Sequence, residues 1–273
     1  MKDMEDKEEK DDIKKKHMYK VLLIFLILLL VGVNYPFLDR AIKTWASNYE
    51  IGIVERIIDG DTIVVNGSTV RLLGINAPEK GERYYDEAKN FLEEQALNRI
   101  VRLEFGPEDR DRYDRKLRYV VLNNKNVNLN LVKIGLANFY FPTLGGKNKY
   151  YRDFKKAWEE CVESNQGICK KSTDSCAPCI EIKSFNYKNQ EVVFRNTCPF
   201  YCELEGWSIK DEGRKKFVFP SIVLEKELTV RVGEEEDTIN TLYWKNESYV
   251  WTQTGDTLFL RDSYDRLVLW KSY

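Results

Sequence analysis

Histidine is almost missing: His17 is the only one in 273 residues, and it lies in a charged N-terminal stretch. Histidine acid–base catalysis and histidine-ligated zinc are therefore excluded for the folded part of the chain. A global excess of basic charge is lacking too. Lys and Arg number 43 against 44 Asp and Glu, a net charge of −1. Residues 50–172 carry 21 basic and 19 acidic groups, and residues 173–273 carry 13 and 17. Any attraction for nucleic acid must then come from local arginines. Cysteine is absent outside a short window, where six lie at 161, 169, 176, 179, 198 and 202. Otherwise the composition is that of an ordinary globular protein, long enough for two domains with real cores.

Residues 1–20 read as a charged, disordered cytoplasmic tail. Val21 to Val33, "VLLIFLILLLVGV", is wholly apolar or Gly, and Asn34 to Leu38 extends it imperfectly. About eighteen residues is near the lower limit for a span. Residues 21–38 are thus expected to form a transmembrane anchor. A signal-peptide core cleaved near Trp45-Ala46-Ser47 and a buried core helix are the alternatives. The preceding lysines keep the N-terminus cytoplasmic and place the remainder outside. The expectation is a single-pass protein of the cell membrane, or a secreted one after cleavage, with residues 39–49 as a linker.

Ile57 to Glu79, "IIDGDTIVVNGSTVRLLGINAPE", is the stretch around which the rest of the chain is organised. Asp59-Gly60-Asp61-Thr62 opens one strand, Asn66-Gly67 is a two-residue hairpin signal, and Val70 to Ile75 returns as a second strand. The hairpin brings Asp61 and Arg71 together. Pro78 lacks an N–H and restricts Ala77, so Asn76-Ala77-Pro78-Glu79 leaves as a turn. A hard cation such as Ca²⁺ takes carboxylate, amide and backbone oxygens, available from Asp61, Asn76 and Ala77. Arg71 can fork two N–H groups onto phosphate. Taken alone, the same hairpin could be a solvated surface turn. "DRDRYDRKLRYVVL", Asp109 to Leu122, adds Tyr113 among Arg115 and Arg118, a grouping suited to a nucleotide and its phosphate.

With these motifs in order, the chain from about Tyr49 to Lys171 resembles the staphylococcal nuclease, or thermonuclease, family. The matching pieces are "DGDT", "VRLLGINAPE", "YYDEAKNFLEEQAL", "DRYDRKLRYV" and "NLNLVKIGLANFYF". The resemblance implies Ca²⁺ as cofactor, ligated by Asp61, by Asn76 and by the backbone carbonyl of Ala77, with Asp59 in a supporting position. It implies Glu79 as the group that activates water, and Arg71 and Arg115 as the pair that clamps the phosphate. Arg112 and Tyr113 fall near the nucleotide, and Tyr140 lies near where the family stacks a base, although core packing suits Tyr140 equally. Asn76 departs from the family, which usually has a second aspartate there. A neutral oxygen in place of a charge implies weaker Ca²⁺ binding.

Five strand candidates, Ile51–Ile58, Ile63–Val65, Val70–Ile75, Ile100–Phe105 and Leu117–Leu122, give the count of an OB-fold barrel, which the family also implies. Three helices accompany it, Tyr85–Leu97, Leu129–Ile134 and Lys149–Glu163. The even cysteine count in an exported chain suits disulfides. Cys176-x2-Cys179 and Cys198-x3-Cys202 also approach a four-thiolate zinc spacing. From Ile180 the pattern turns to short β runs, which resemble the lamin-tail domain, an immunoglobulin-like all-β sandwich. The acidic run Glu234-Glu235-Glu236-Asp237 reads as a solvated loop.

The expected protein is multidomain: a membrane segment, an OB-fold α+β nuclease domain over 50–171, a Cys-containing linker over 172–179, and a lamin-tail-like sandwich over 180–273. Its expected function is that of a membrane-anchored, Ca²⁺-dependent endonuclease. DNA and RNA are its expected substrates, 3′-phosphates its products, and an unidentified partner or envelope polymer the ligand of the last domain. A non-catalytic cell-surface binding protein with a degenerate nuclease fold is the rival.

Overall fold

The structure, a computed structural model, describes residues 17–30, 32, 49–141, 149–253 and 255–273. The chain divides into two compact units, residues 1–50 and 51–273. In the first, helix α1 covers residues 17–30, with the apolar side chains from Val21 to Leu30 exposed. At 1.5 Å per residue the fourteen consecutive described residues of α1 span about 21 Å, against a hydrocarbon core of ~30 Å. Among the described residues no helix is long and apolar enough to cross a membrane.

That finding corrects the anchor expected over 21–38. His17 and Lys20 occupy the first turn of α1, so its apolar stretch is shorter still. The single-pass topology, the membrane as a partner and the cell-membrane location all rested on that span and fall with it. Residues 1–16 of the expected tail and 33–48, with the end of the apolar run and the linker, lie outside the described residues.

The nuclease-like region begins with strands β1 (Tyr49–Ile57), β2 (Thr62–Val65), β3 (Ser68–Leu72) and β4 (Ile75–Asn76). Helix α2 (Tyr85–Ala96) precedes β5 (Ile100–Arg110), β6 (Lys116–Leu122) and β7 (Lys125–Asn126). Helix α3 (Val127–Lys133), β8 (Asn138–Phe139) and helix α4 (Tyr151–Ser164) complete it. The strands run β3-β2-β1-β5-β6-β7, and β3 pairs in parallel with β6. That pairing closes an OB-fold-like barrel of five strands. Asn66 and Gly67 both have positive φ, 47° and 72°, as a type I′ hairpin turn requires. Ala88, Leu92 and Ala96 of α2 are buried against the barrel. Asn126 caps α3 by accepting from the Leu129 N–H at 3.0 Å.

The second half of the chain forms β9 (Ile180–Asn186), β10 (Glu191–Asn196), β11 (Cys202–Glu203), β12 (Ser208–Lys210) and β13 (Lys216–Val218). It continues with β14 (Val223–Leu224), β15 (Glu227–Val232), β16 (Thr241–Trp244), β17 (Thr257–Arg261) and β18 (Leu267–Ser272). Two four-stranded sheets result, β16-β15-β10-β9 and β13-β12-β17-β18, beside the small pair β11-β14. Val192, Phe194, Leu228 and Val230 of the first sheet share a core with Ile209, Leu258 and Leu260 of the second.

The second sheet also belongs to the barrel. Successive side chains of a strand point to opposite faces, so while Leu258 and Leu260 enter the sheet core, Phe259 enters the barrel core with Leu267. Trp158 of α4, fully buried, meets Phe259 at 5.4 Å and Trp270 at 6.1 Å between ring centroids. Arg261, also buried, donates from Nη1 to the Ile168 carbonyl at 2.7 Å. Three disulfides tighten the junction: Cys161–Cys169, Cys176–Cys202 and Cys179–Cys198. Cys176, Cys198 and Cys202 do come close enough to hold a metal. All six thiols are consumed by the cross-links, however, so disulfides and not a thiolate zinc site account for the cysteines.

Truncating Phe259 to Ala should cost about 3–5 kcal/mol, as for other buried aromatics. Because that side chain serves the barrel from the C-terminal sheet, urea unfolding should show one lowered transition for residues 51–273. Loss of a separate sheet transition, with the barrel untouched, would contradict the shared core.

Candidate active site

Arg71 lies at the centre of the site and is 8% exposed. The β2–β3 register sets it opposite Thr62, next to Asp61. Its Nη2 reaches Asp61 Oδ2 at 3.0 Å and Asn76 Oδ1 at 3.1 Å, and its Nη1 donates to the Leu72 carbonyl at 2.9 Å. Asp61 is fixed further by the Ala77 N–H on Oδ2 and the Thr62 hydroxyl on Oδ1, both at 2.9 Å. Asp59 accepts from the Asp61 N–H at 3.1 Å. Burial, and then the charge of Asp61, raises the Asp59 carboxyl above its usual range.

The donor set tests the fit of a cation. Asp61 and Asn76 turn oxygen atoms on the same positive group, and every donor is a hard oxygen, so these residues fit a Ca²⁺-like ion. They bring one full negative charge. Among the described residues no three carboxylates approach closely enough to cage an ion; the only such cluster is the cysteine trio.

The charged loop after β5 lines the same groove as Arg71. Asp111 scaffolds it, accepting on Oδ1 from the Tyr113 and Arg115 N–H groups at 2.9 and 3.0 Å. Its Oδ2 pairs with the Arg115 guanidinium at 2.7 Å. These hydrogen bonds outweigh burial and lower the Asp111 carboxyl. Arg112 lies 4.8 Å and Arg115 5.4 Å from the Tyr113 ring centroid, so the exposed ring sits between two cations. Arg118 does not join them. It is 1% exposed, paired with Asp109 and placed over Phe105 at 4.3 Å, a core role that corrects its expected grouping with Tyr113.

Arg71, Asn76, Arg112, Tyr113, Arg115 and Tyr140 line one groove of about 970 Å³. Tyr140 is half-buried there, and burial followed by the charge of Glu212 raises its hydroxyl. Asp61 and Glu79 do not line the groove but pair with Arg71 and Arg214, which do. The groove has a wall that sequence reasoning missed: Asp211, Gly213, Arg214 and Lys215, from the loop between β12 and β13. Asn76 Nδ2 donates to the Gly213 carbonyl at 2.7 Å, and Arg214 Nε pairs with Glu79 Oε1 at 2.6 Å. Lys210 Nζ contacts both oxygens of Glu82 at 2.9 and 2.8 Å. Glu82 in turn accepts the Glu79 N–H at 2.8 Å, and the Lys210 charge outweighs burial to lower its carboxyl. The only sequence signal was a turn followed by cations, "KDEGRKK", and contacts 137 residues apart leave no local trace.

Comparison with known proteins places this architecture. The staphylococcal nuclease homologue family profile matches residues 69–171. The thermonuclease of Staphylococcus intermedius is 31% identical over 160 residues, 54% of this chain and 91% of that protein. The thermonuclease of Staphylococcus hyicus is 28% identical over 171 residues, covering 56% and 98%. Endonuclease YncB of Bacillus subtilis is 34% identical over 130 residues, covering 44% and 61%. Barrel, helices and groove thus define a thermonuclease-like catalytic domain with nuclease-type activity. The chain belongs to the staphylococcal nuclease homologue family, and a Ca²⁺-dependent mechanism is what that family implies in general. The profile stops at residue 171, so the lamin-tail resemblance of residues 180–273 gains no support from it.

The hairpin wall generates two predictions. Asn76→Asp replaces the amide by a carboxylate and sets two acceptors face to face where Asn76 now donates. Leaving such buried groups unpaired costs about 1–3 kcal/mol, so the melting temperature should fall by roughly 3–10 °C; an unchanged value would show that docking does not need the amide. Burial, and next the charge of Asp256, pushes Asp211 up to about 7 and Glu212 up to about 8. Carboxyls unfold to values near 4, so the folded chain holds these protons more tightly. Stability should therefore be greatest below about pH 4 for these two groups, decline as pH rises, and level off above about 8. Urea titrations of Asp211→Asn/Glu212→Gln should show a flatter pH dependence than the parent chain.

Proposed function

We propose that the groove binds a single strand of DNA or RNA and hydrolyses its phosphodiester bonds endonucleolytically, leaving 3′-phosphates. The observation that carries this reading is that Arg71, buried between Asp61 and Asn76, and Arg115 line one groove. A phosphodiester under attack gathers negative charge on its equatorial oxygens. Guanidinium groups fixed toward those oxygens lower the barrier without reorganising during the reaction. Arg71 and Arg115 take that role, Glu79 accepts a proton from the attacking water, and Tyr113 with Arg112 orients the nucleotide. Tyr140, on the groove wall, offers a face for a base. Ca²⁺ held by Asp61, Asn76 and the Ala77 carbonyl would supply further stabilisation of the developing charge. Asp59 supports Asp61 through its backbone N–H. Domain limits of 50–171 for the nuclease and 180–273 for the β-sheet module belong to the same proposal. The lamin-tail-like pattern of that module suits a binding or positioning part.

Cleavage of single-stranded DNA by residues 46–273 should require Ca²⁺ and cease with chelator. Glu79→Gln keeps the shape and removes the base, so kcat should drop by about 10²–10⁴-fold. A variant that cleaves as fast as its parent would sink the assignment of Glu79.

A further inference from the structure

We propose that Arg214, carried by the C-terminal sheets, is a specificity-determining contact to a phosphate flanking the scissile one, so that the enzyme prefers extended polynucleotides. The proposal rests on the phosphodiesterase reading above. Arg214 lines the groove that holds Arg71 and Arg115. Its backbone is held firmly while its side chain is 61% exposed. The loop closes on itself through the Asp211 N–H to the Lys215 carbonyl at 3.1 Å and the Lys215 N–H to Asp211 Oδ1 at 2.9 Å. Asn76 and Glu82 fasten the same hairpin to the barrel through Gly213 and Lys210. Lys215 is occupied with Glu247 at 2.9 Å and with the Tyr249 ring at 3.9 Å, so it anchors the loop. A fixed backbone with an exposed guanidinium suits capture of a phosphate, since the planar fork matches two phosphate oxygens.

The pair with Glu79 admits an opposite role, restraint of the base. Exposure decides between them. Glu79 is 41% exposed and Arg214 more so, and ion pairs this open to water are weak. Such a pair gives way to a phosphate arriving in a groove already lined with guanidinium groups.

The test uses the full chain, Arg214→Ala and Arg214→Lys, with chelator present so that nothing is cleaved. Fluorescence anisotropy on a single-stranded DNA ten-mer should show about 5–10-fold weaker binding by Arg214→Ala. The slope of log affinity against log salt should fall by about 0.7, one phosphate contact on a single strand. Arg214→Lys should recover part of the loss. A dinucleotide with a single phosphate, followed by competition, should bind all three proteins alike. Unchanged ten-mer affinity and slope in Arg214→Ala would overturn the proposal. So would an equal loss for the dinucleotide, or, with Ca²⁺ restored, a tenfold rise in kcat at unchanged KM, which would mark a restraint on Glu79. Failure of the hydrolase reading looks different: the parent chain would bind the ten-mer without cutting it, and the anisotropy comparison would still decide the role of Arg214.

Discussion

A buried guanidinium must have negative charge and acceptors around it, and meeting that demand for Arg71 sets the geometry of the site. Removing one partner of such a pair typically costs about 3–5 kcal/mol, because the other charge is left without water or counter-charge. Asp61, Asn76 and the Leu72 carbonyl share the task. Their positions arise from one hairpin register and one turn. Everything else that touches the site is arranged around residues Arg71 has already fixed.

The β12–β13 hairpin is the clearest case. Asn76 uses its oxygen for Arg71 and its nitrogen for the Gly213 carbonyl. An amide accepts on one side and donates on the other, whereas an ionised aspartate can only accept. The donation of Asn76 to Gly213 is a contact that depends on the C-terminal sheets. One amide thus serves both the buried guanidinium and the docked hairpin.

Much of the barrel was legible in the sequence, for physical reasons. The Asn66-Gly67 turn and the alternation on either side specify the β2–β3 pairing, and with it the meeting of Asp61 and Arg71. Ala88, Leu92 and Ala96 recur at helical spacing and are buried. Short or long-range features were not legible. β16 pairs in parallel with β15 across an irregular connection, and Arg118 resembles its neighbours in a run of arginines until packing buries it under Phe105. The apolar run at 21–33 suggests a span by hydropathy, and the described helix proves too short for that role. Gly213 and Arg214 lie far from Asn76 and Glu79 in sequence, and charge alone does not say where a loop will dock.

The two-faced strand β17 has a consequence for how the chain is made. Trp158 has emerged from the ribosome long before Phe259 and Trp270, the rings that cover it. At roughly 5–20 residues per second, on the order of ten seconds of elongation pass with that indole lacking its final neighbours. During this interval the nascent barrel has an incomplete core and a groove with one wall missing. The hairpin wall and the cover of the barrel core are joined through one sheet, because β12 pairs with β17.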